Sequence, residues 1–402
     1  MKWIAKLFGI IVVFALLGAV VGGLATQRSY LLLAVGDTAL ETSLWFAVAV
    51  IIAFVTVAGG SLLLSLKVFG TGKKIGSWRQ GRRVQHAALQ AEEGLVRLTE
   101  GKWSKAENLL QASIANGNLA LASFLGAARA ANQQGSNDLR ERYLEQAAKA
   151  HPDALVSIGI ERGAMQLARG QYEQALESLS SVRSLAPEQA YVLSLLKEAY
   201  ERLNDWQGLK QLLPLLRQHK VVNADEAISL EKTCLIALMD QTVQKKGAEE
   251  DSMPYTNDLV RLWEEASTEL QANAGLIYAY GNALVTLGEM DKAEKLLATE
   301  MPQVWSDQLV ALYGQIKGAV PAAQLQNAEG WLASHINNEV LLLALGQLAS
   351  TAGELDKAKS YLEQSLDIRQ SASVYAELGR LYSQAGDAEA GNNAFIQGMG
   401  LS

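Results

Sequence analysis

Few residues in this 402-residue chain belong to the types that do chemistry, and their spacing does not favour it. The four histidines, His86, His151, His219 and His335, are scattered. A metal site needs two or more converging ligands, so their spacing predicts none. His151 precedes Pro152 and reads as a turn or capping residue. His219 lies in Arg217-Gln-His-Lys near a helix end, where the dipole favours a cation. Axial ligation of a porphyrin or haem is the chemistry still open to a lone histidine. The single cysteine, Cys234, excludes an internal disulfide, CxxC redox motifs, Cys-based zinc sites and iron–sulfur cages. It sits in the apolar run Lys232-Thr-Cys-Leu-Ile-Ala-Leu and reads as a small buried hydrophobe. Gly70-Thr-Gly-Lys-Lys lacks the spacing and the Ser/Thr of a phosphate loop. GxGxxG, HExxH and GxSxG are absent from the sequence. The pairs Glu92/Glu93 and Glu264/Glu265 are adjacent in sequence, so their members do not share one helix face as an acid/base pair would need. No catalytic residue, metal site or resident cofactor is therefore expected, and the chain is read as no enzyme.

The elements that must position any site are helices. From residue 86 onward apolar residues keep helical spacing, and turn residues recur with a following Ala or Gly. Gly101-Lys-Trp-Ser-Lys-Ala, Gly170-Gln-Tyr-Glu-Gln-Ala, Gly288-Glu-Met-Asp-Lys-Ala and Gly353-Glu-Leu-Asp-Lys-Ala share the pattern, and Gly386-Asp-Ala-Glu-Ala-Gly varies it. Gly101, Gly135, Gly170 and Asn204 are 34, 35 and 34 residues apart; Gly288, Pro321, Gly353 and Gly386 are 33, 32 and 33 apart. The interval from Asn204 to Gly288 is 84, longer than two repeats, with an insertion expected near Gln244–Pro254. Periods of this size mark stacked helical hairpins.

These residues resemble the tetratricopeptide repeat. Leu345-Gly346 and Leu378-Gly379 match its first-helix Leu-Gly pair, and Gly163 and Gly281 take the same small position. Ala175, Ala293 and Ala358 match the small residue of the second helix; Leu179, Leu297, Leu362 and Phe395 match the large residue a turn later. The fold class is read as all-α: an N-terminal transmembrane hairpin, then an α-solenoid of eight or nine hairpins over 86–402. Stretches 223–272 and 303–337 fit by length rather than by consensus. Helix A of each hairpin lines a concave groove in such superhelices. In this register the groove-facing residues are Tyr191, Glu198, Glu201, Arg202, Tyr278, Asn282, Gln347, Arg380 and Gln384; the alternative is that they are merely solvated.

Residues 1–70 read as a transmembrane hairpin with helices at about 5–26 and 43–66. Leu7–Gln27 and Thr42–Leu66 carry no charge, and about 20 apolar helical residues span a bilayer core. The first stretch is too long for a signal-peptide core and lacks a clean A-x-A site, so it is read as retained. The short connector forces an antiparallel pair, and Gly18-x-x-x-Gly22 permits close helix approach.

Residues 1–85 hold nine Lys/Arg and two acids, whereas the remaining 317 residues hold 26 basic and 40 acidic. The first part is thus +7 and the rest −14. Lys2 and Lys6 precede the first stretch; Lys67, Lys73, Lys74, Arg79, Arg82 and Arg83 follow the second. Basic flanks place both ends in the cytoplasm. The basic juxtamembrane run at 71–85 reads as a topology signal and anionic-lipid contact, each charge contributing about 1 kcal/mol. An acidic body argues against nucleic acid as a partner.

The layout as a whole resembles the HemY family of bacterial inner-membrane proteins. The resemblance rests on the N-terminal hairpin, the connector Tyr30-Leu-Leu-Leu…Asp37-Thr…Glu41-Thr-Ser, the run Lys73-Lys-Ile-Gly-Ser-Trp-Arg-Gln-Gly-Arg-Arg, and Leu238-Met-Asp in the repeat body. It implies an inner-membrane scaffold of late haem biosynthesis that organises pathway enzymes or intermediates at the cytoplasmic face, with any porphyrin or haem bound only transiently. The competing readings are a general envelope-assembly adaptor and a direct porphyrin binder.

Overall fold

The computed structural model describes residues 30–36, 38–247 and 252–401. It divides after Gln134 into two compact units.

The described part of the first unit starts with an antiparallel hairpin of β1 (Tyr30–Val35) and β2 (Thr38–Ser43). Partners run from Tyr30↔Ser43 to Val35↔Thr38, so paired residue numbers sum to 73. Gly36, at φ 61°, begins the turn, a left-handed conformation that costs glycine little. The sequence reading treated this stretch only as a connector. Helix α1 (Leu44–Thr99) then runs unbroken for 56 residues, about 84 Å at helical rise. It carries the expected second span, the basic run and the start of the repeats in one element.

Between Phe46 and Val57, α1 exposes Phe46, Val50, Ile51, Phe54, Val55 and Val57. Among the described residues no helix is long and apolar enough to cross a membrane. The expected first span at 5–26 lies outside the described residues. Of the expected second span, the side chains of residue 45 and residues 62–66 also lie outside them. The side chains of Lys67, Lys73, Lys74 and Arg79 lie outside them too, while Arg82 and Arg83 are exposed.

The C-terminal end of α1 packs against α2 (Trp103–Ala115) and α3 (Leu121–Gln133). Ala87, Ala91, Ala106 and Leu110 are buried between them. Buried Ser113 Oγ donates to the Ala87 carbonyl at 2.6 Å.

The second unit begins with α4 (Asn137–Ala150). Seven helix pairs follow among the described residues. They are α5 (Leu155–Ala168) with α6 (Tyr172–Leu185), and α7 (Ala190–Leu203) with α8 (Trp206–Gln218). Then come α9 (Ala224–Lys246) with α10 (Met253–Glu264) and, after the single turn α11 (Thr268–Gln271), α12 (Ala274–Leu287) with α13 (Met290–Glu300). The last three are α14 (Asp307–Gln315) with α15 (Pro321–Gly330), α16 (Glu339–Thr351) with α17 (Leu355–Ile368), and α18 (Ala372–Gln384) with α19 (Ala388–Met399).

The turn positions read from spacing are structural. Gly101, Gly135, Gly170, Asn204, Gly288, Gly353 and Gly386 all have φ between 54° and 89°. Pro321 differs: it opens α15 at the first helical position, where its fixed φ suits the helix and its missing N–H costs nothing.

The second-helix alanines Ala175, Ala293 and Ala358 are fully buried, as are Leu179 and Leu297. At Gly163, Gly346 and Gly379 the small first-helix residue faces the large second-helix one as the register requires, whereas Gly281 faces Leu312 of α14 more closely than Leu297. An added Cβ would stand 2.5 Å from Leu179 at Gly163, 2.5 Å from Leu362 at Gly346 and 2.6 Å from the Phe395 ring at Gly379. Only a hydrogen fits at that separation, so each glycine sets how closely its two helices approach. Gly94 and Leu110 repeat the arrangement at 2.7 Å in the first unit, a pair the sequence reading passed over.

The long interval between Asn204 and Gly288 also resolves. The second unit has two apolar cores, one spanning Leu167 to Cys234 and the other Leu235 to Ala394. Helix α9 belongs to both: Ala227 and Cys234 pack into the first, Leu235 and Met239 into the second. With 23 residues it is the longest helix of this unit. A capping box starts it, with Asn223 accepting from Glu226 N–H at 2.8 Å and Glu226 accepting from Asn223 N–H at 2.9 Å.

Candidate partner-binding surface

All nine residues read as groove-facing lie on first helices of their pairs. On α7, Tyr191, Glu198 and Arg202 are exposed, while Glu201 is half-buried and paired with Lys197 Nζ at 3.1 Å. On α12, Tyr278 and Asn282 are exposed one turn apart. On α16, Gln347 is half-buried, and on α18, Arg380 and Gln384 are exposed.

The structure gathers only some of them. Gln347 Nε2 donates to Glu377 Oε1 at 2.7 Å, and Arg380 pairs with the same carboxylate. Ser350 Oγ donates to Gln384 Oε1 at 3.2 Å. Gln347 and Arg380 are thus joined across α16 and α18 by Glu377, and Gln384 is tied to α16 separately through Ser350. Sequence reasoning missed Glu377; its place three residues before Arg380, on the same helix face, was the available signal. Glu201 faces different surroundings. It lines a cavity of about 570 Å³ between α7 and α9, with Lys197, Trp206, Val222, Glu226 and Leu230. Its lining mixes apolar and charged side chains. A second cavity, about 660 Å³, is lined by Arg217, Lys220, Asn223, Ser267 and Glu269 among others. Its arginine is already engaged, donating to Glu231 at 2.6 Å.

Cys234 and three of the four histidines are held in structural roles. Cys234 is fully buried, and burial, then the charge of Glu201, pushes its thiol up to about 11; the thiolate that would react is disfavoured. His151 and His219 cap the C-termini of α4 and α8, close to the roles read for them. His86 is exposed. His335 stacks on Trp305 with ring centroids 3.5 Å apart, part of an aromatic group with Trp331 and Tyr313 that the sequence reading did not foresee. Among the described residues no three His, Cys, Asp or Glu side chains are grouped to hold a metal ion.

Helix pairs joined at left-handed glycines, with a small residue of one helix against a large residue of the next, define a tetratricopeptide-repeat protein. Residues 341–371 match the family model described as Tetratricopeptide repeat. Residues 29–135 match the model described as HemY protein N-terminus. The chain is 27% identical over 374 residues to the protein HemY of Escherichia coli K12 and to that of Shigella flexneri, covering 92% of this chain and 92% of each relative. The chain is thus similar to HemY proteins over most of its length, and its N-terminal part matches their family model. Among solved structures it is similar to PilF of Pseudomonas aeruginosa, at 11% identity and a TM-score of 0.27 over 78% of this chain and 91% of that one. A Naa15/Naa10 complex bound to HypK matches at 13% identity and a TM-score of 0.37, over 82% of this chain and 61% of that one.

Proposed function

We propose that this protein is a membrane-anchored scaffold of late haem biosynthesis, whose first-helix faces hold pathway enzymes at the cytoplasmic side of the bacterial inner membrane. The observation that carries the scaffold reading is the set of first-helix side chains exposed on α7, α12 and α18. It offers recognition surface, while Cys234 is buried and His151 and His219 stand at helix ends. The protein performs no bond-making of its own and needs no resident cofactor or metal; any porphyrin or haem is transient cargo.

Membrane anchoring is supported by α1, whose described residues from Ala53 to Ser61 are all exposed. A helix apolar on every side belongs in lipid or inside other protein. The basic run after it sets the orientation, both ends in the cytoplasm. The haem assignment rests on the likeness to HemY proteins. Deleting the gene should raise porphyrin precursors; unchanged porphyrin and haem levels would contradict the assignment. Recovery of envelope-assembly enzymes alone from cross-linked membranes would favour a general adaptor instead.

A further inference from the structure

The outer face of the pair α18–α19 departs from that of the pair before it. Residues 33 apart hold equivalent places in α16–α17 and α18–α19, as Gly346 and Gly379 or Leu362 and Phe395 do. Leu362 is buried, and Leu366, one turn on, packs against the second core. Of their counterparts, Phe395 is half-buried and Met399 is exposed. Ile396 stands where the preceding pair has the exposed Glu363, yet Ile396 is itself 66% exposed. Leu401 beyond it is half exposed. A helical solenoid stays soluble when its terminal pair turns a polar face outward. Here an apolar side chain holds the place of a charge, and an exposed apolar patch marks a contact surface.

The step from α16–α17 to α18 indicates what fits there. Helix α18 adds Val374, Leu378 and Leu381 to the second core. These lie 4 and 3 residues apart, a single helical stripe. Beside the stripe, Glu377 accepts from Gln347 Nε2 at 2.7 Å and Gln384 accepts from Ser350 Oγ at 3.2 Å. The counterparts of Gln347 and Ser350, 33 residues on, are Arg380 and Ser383, both exposed. Arg380 pairs with Glu377 on its own helix, but a guanidinium has five N–H donors and holds a second carboxylate as well. We propose that the outer face of α18–α19 docks an amphipathic helix of a partner protein, which continues the stack as α18 does. That helix presents an apolar stripe to Phe395 and Ile396 and a carboxylate to Arg380. The acid is specified because an arginine stands where the preceding pair has a neutral glutamine. The proposal goes beyond the scaffold reading and does not depend on the haem assignment.

The test uses the purified full chain in detergent micelles and a fluorescein-labelled peptide copying Ala372–Gln384, the helix whose packing step is to be repeated. The peptide is hydrocarbon-stapled, because a helix of 13 residues is marginal alone. Its anisotropy should rise saturably on titration with the chain. Ile396→Glu in the chain should weaken binding about ten-fold or more. Arg380→Glu should also weaken it, and a peptide carrying Glu377→Arg should bind that variant more tightly than it binds the natural chain. Both substituted positions are exposed, and circular dichroism verifies that each variant is folded. Absence of saturable binding, or binding that neither substitution alters, would overturn the proposal. So would sedimentation showing a dimer of the natural chain that Ile396→Glu converts to monomer, because a second copy would then be the cover.

Discussion

Gly346 and Leu362 show how one residue sets the spacing of a whole helix pair. A methyl added at Gly346 meets Leu362 at 2.5 Å, and overpacking of that kind costs roughly 1–3 kcal/mol. Gly346→Ala should therefore lower the urea midpoint. Combining it with Leu362→Ala should cost less than the sum of the two, by about 0.5–3 kcal/mol of coupling, because the second change makes room for the first. Additive costs would mean that the two do not compete for space. Cys234 offers a second test. With its thiol pushed up to about 11 by burial, it should stay unmodified by maleimide at pH 8 in the folded chain and react once urea unfolds it. Burial, then the charge of Glu294, likewise pushes the Tyr313 hydroxyl up to about 12. Both shifts favour the neutral form in the folded state. Their stability contribution is therefore complete below the unfolded values and is lost as pH rises through 11 to 12. Alkaline unfolding followed by circular dichroism should begin at higher pH in Tyr313→Phe than in the natural chain. The buried and turn residues were legible in sequence because helical spacing and left-handed turns each require a residue type. Glu377 and the His335–Trp305 stack were not legible, since they depend on which helices become neighbours.

At the scale of elements, α9 is the joint of the second unit. Its Leu235 lies in the second apolar core while the adjacent Cys234 lies in the first. Leu235→Ala should cost about 2–5 kcal/mol through cavity formation. It should raise amide exchange in α12 and, through the shared helix, in α7 and α8. Exchange confined to α12 and later helices would show that the two cores open independently. The sequence showed this region only as an interval too long for two repeats. A helix buried on two sides loses the one-sided apolar stripe that periodicity detects, so its length was visible and its role was not. The β-hairpin was obscured differently. Tyr30-Leu-Leu-Leu-Ala-Val followed by Gly36-Asp37 carries strand and turn signals. The long uncharged stretches on either side dominated the reading, and a lone two-stranded hairpin is marginal by itself. The 33–35-residue repeat period, by contrast, was plain, because each hairpin must return the chain to the same point of the stack.

For the whole molecule, the charge split accords with the proposed anchor. The first 85 residues are +7 and the rest −14, so an anionic bilayer attracts the former and repels the latter. At 1 M salt the Debye length falls to about 3 Å, which removes attraction between surface charges but leaves apolar insertion intact. The full chain should therefore remain in the membrane pellet after a 1 M salt wash; release into the supernatant would reduce the anchor to its basic run. The scaffold reading is tested most directly by contact. Photo-crosslinking residues placed at Tyr191 and Tyr278, both exposed on first helices, should capture haem-pathway enzymes in native membranes, and a site on the opposite helix face should not. Crosslinks only to envelope-assembly enzymes, or none above that control, would contradict the account.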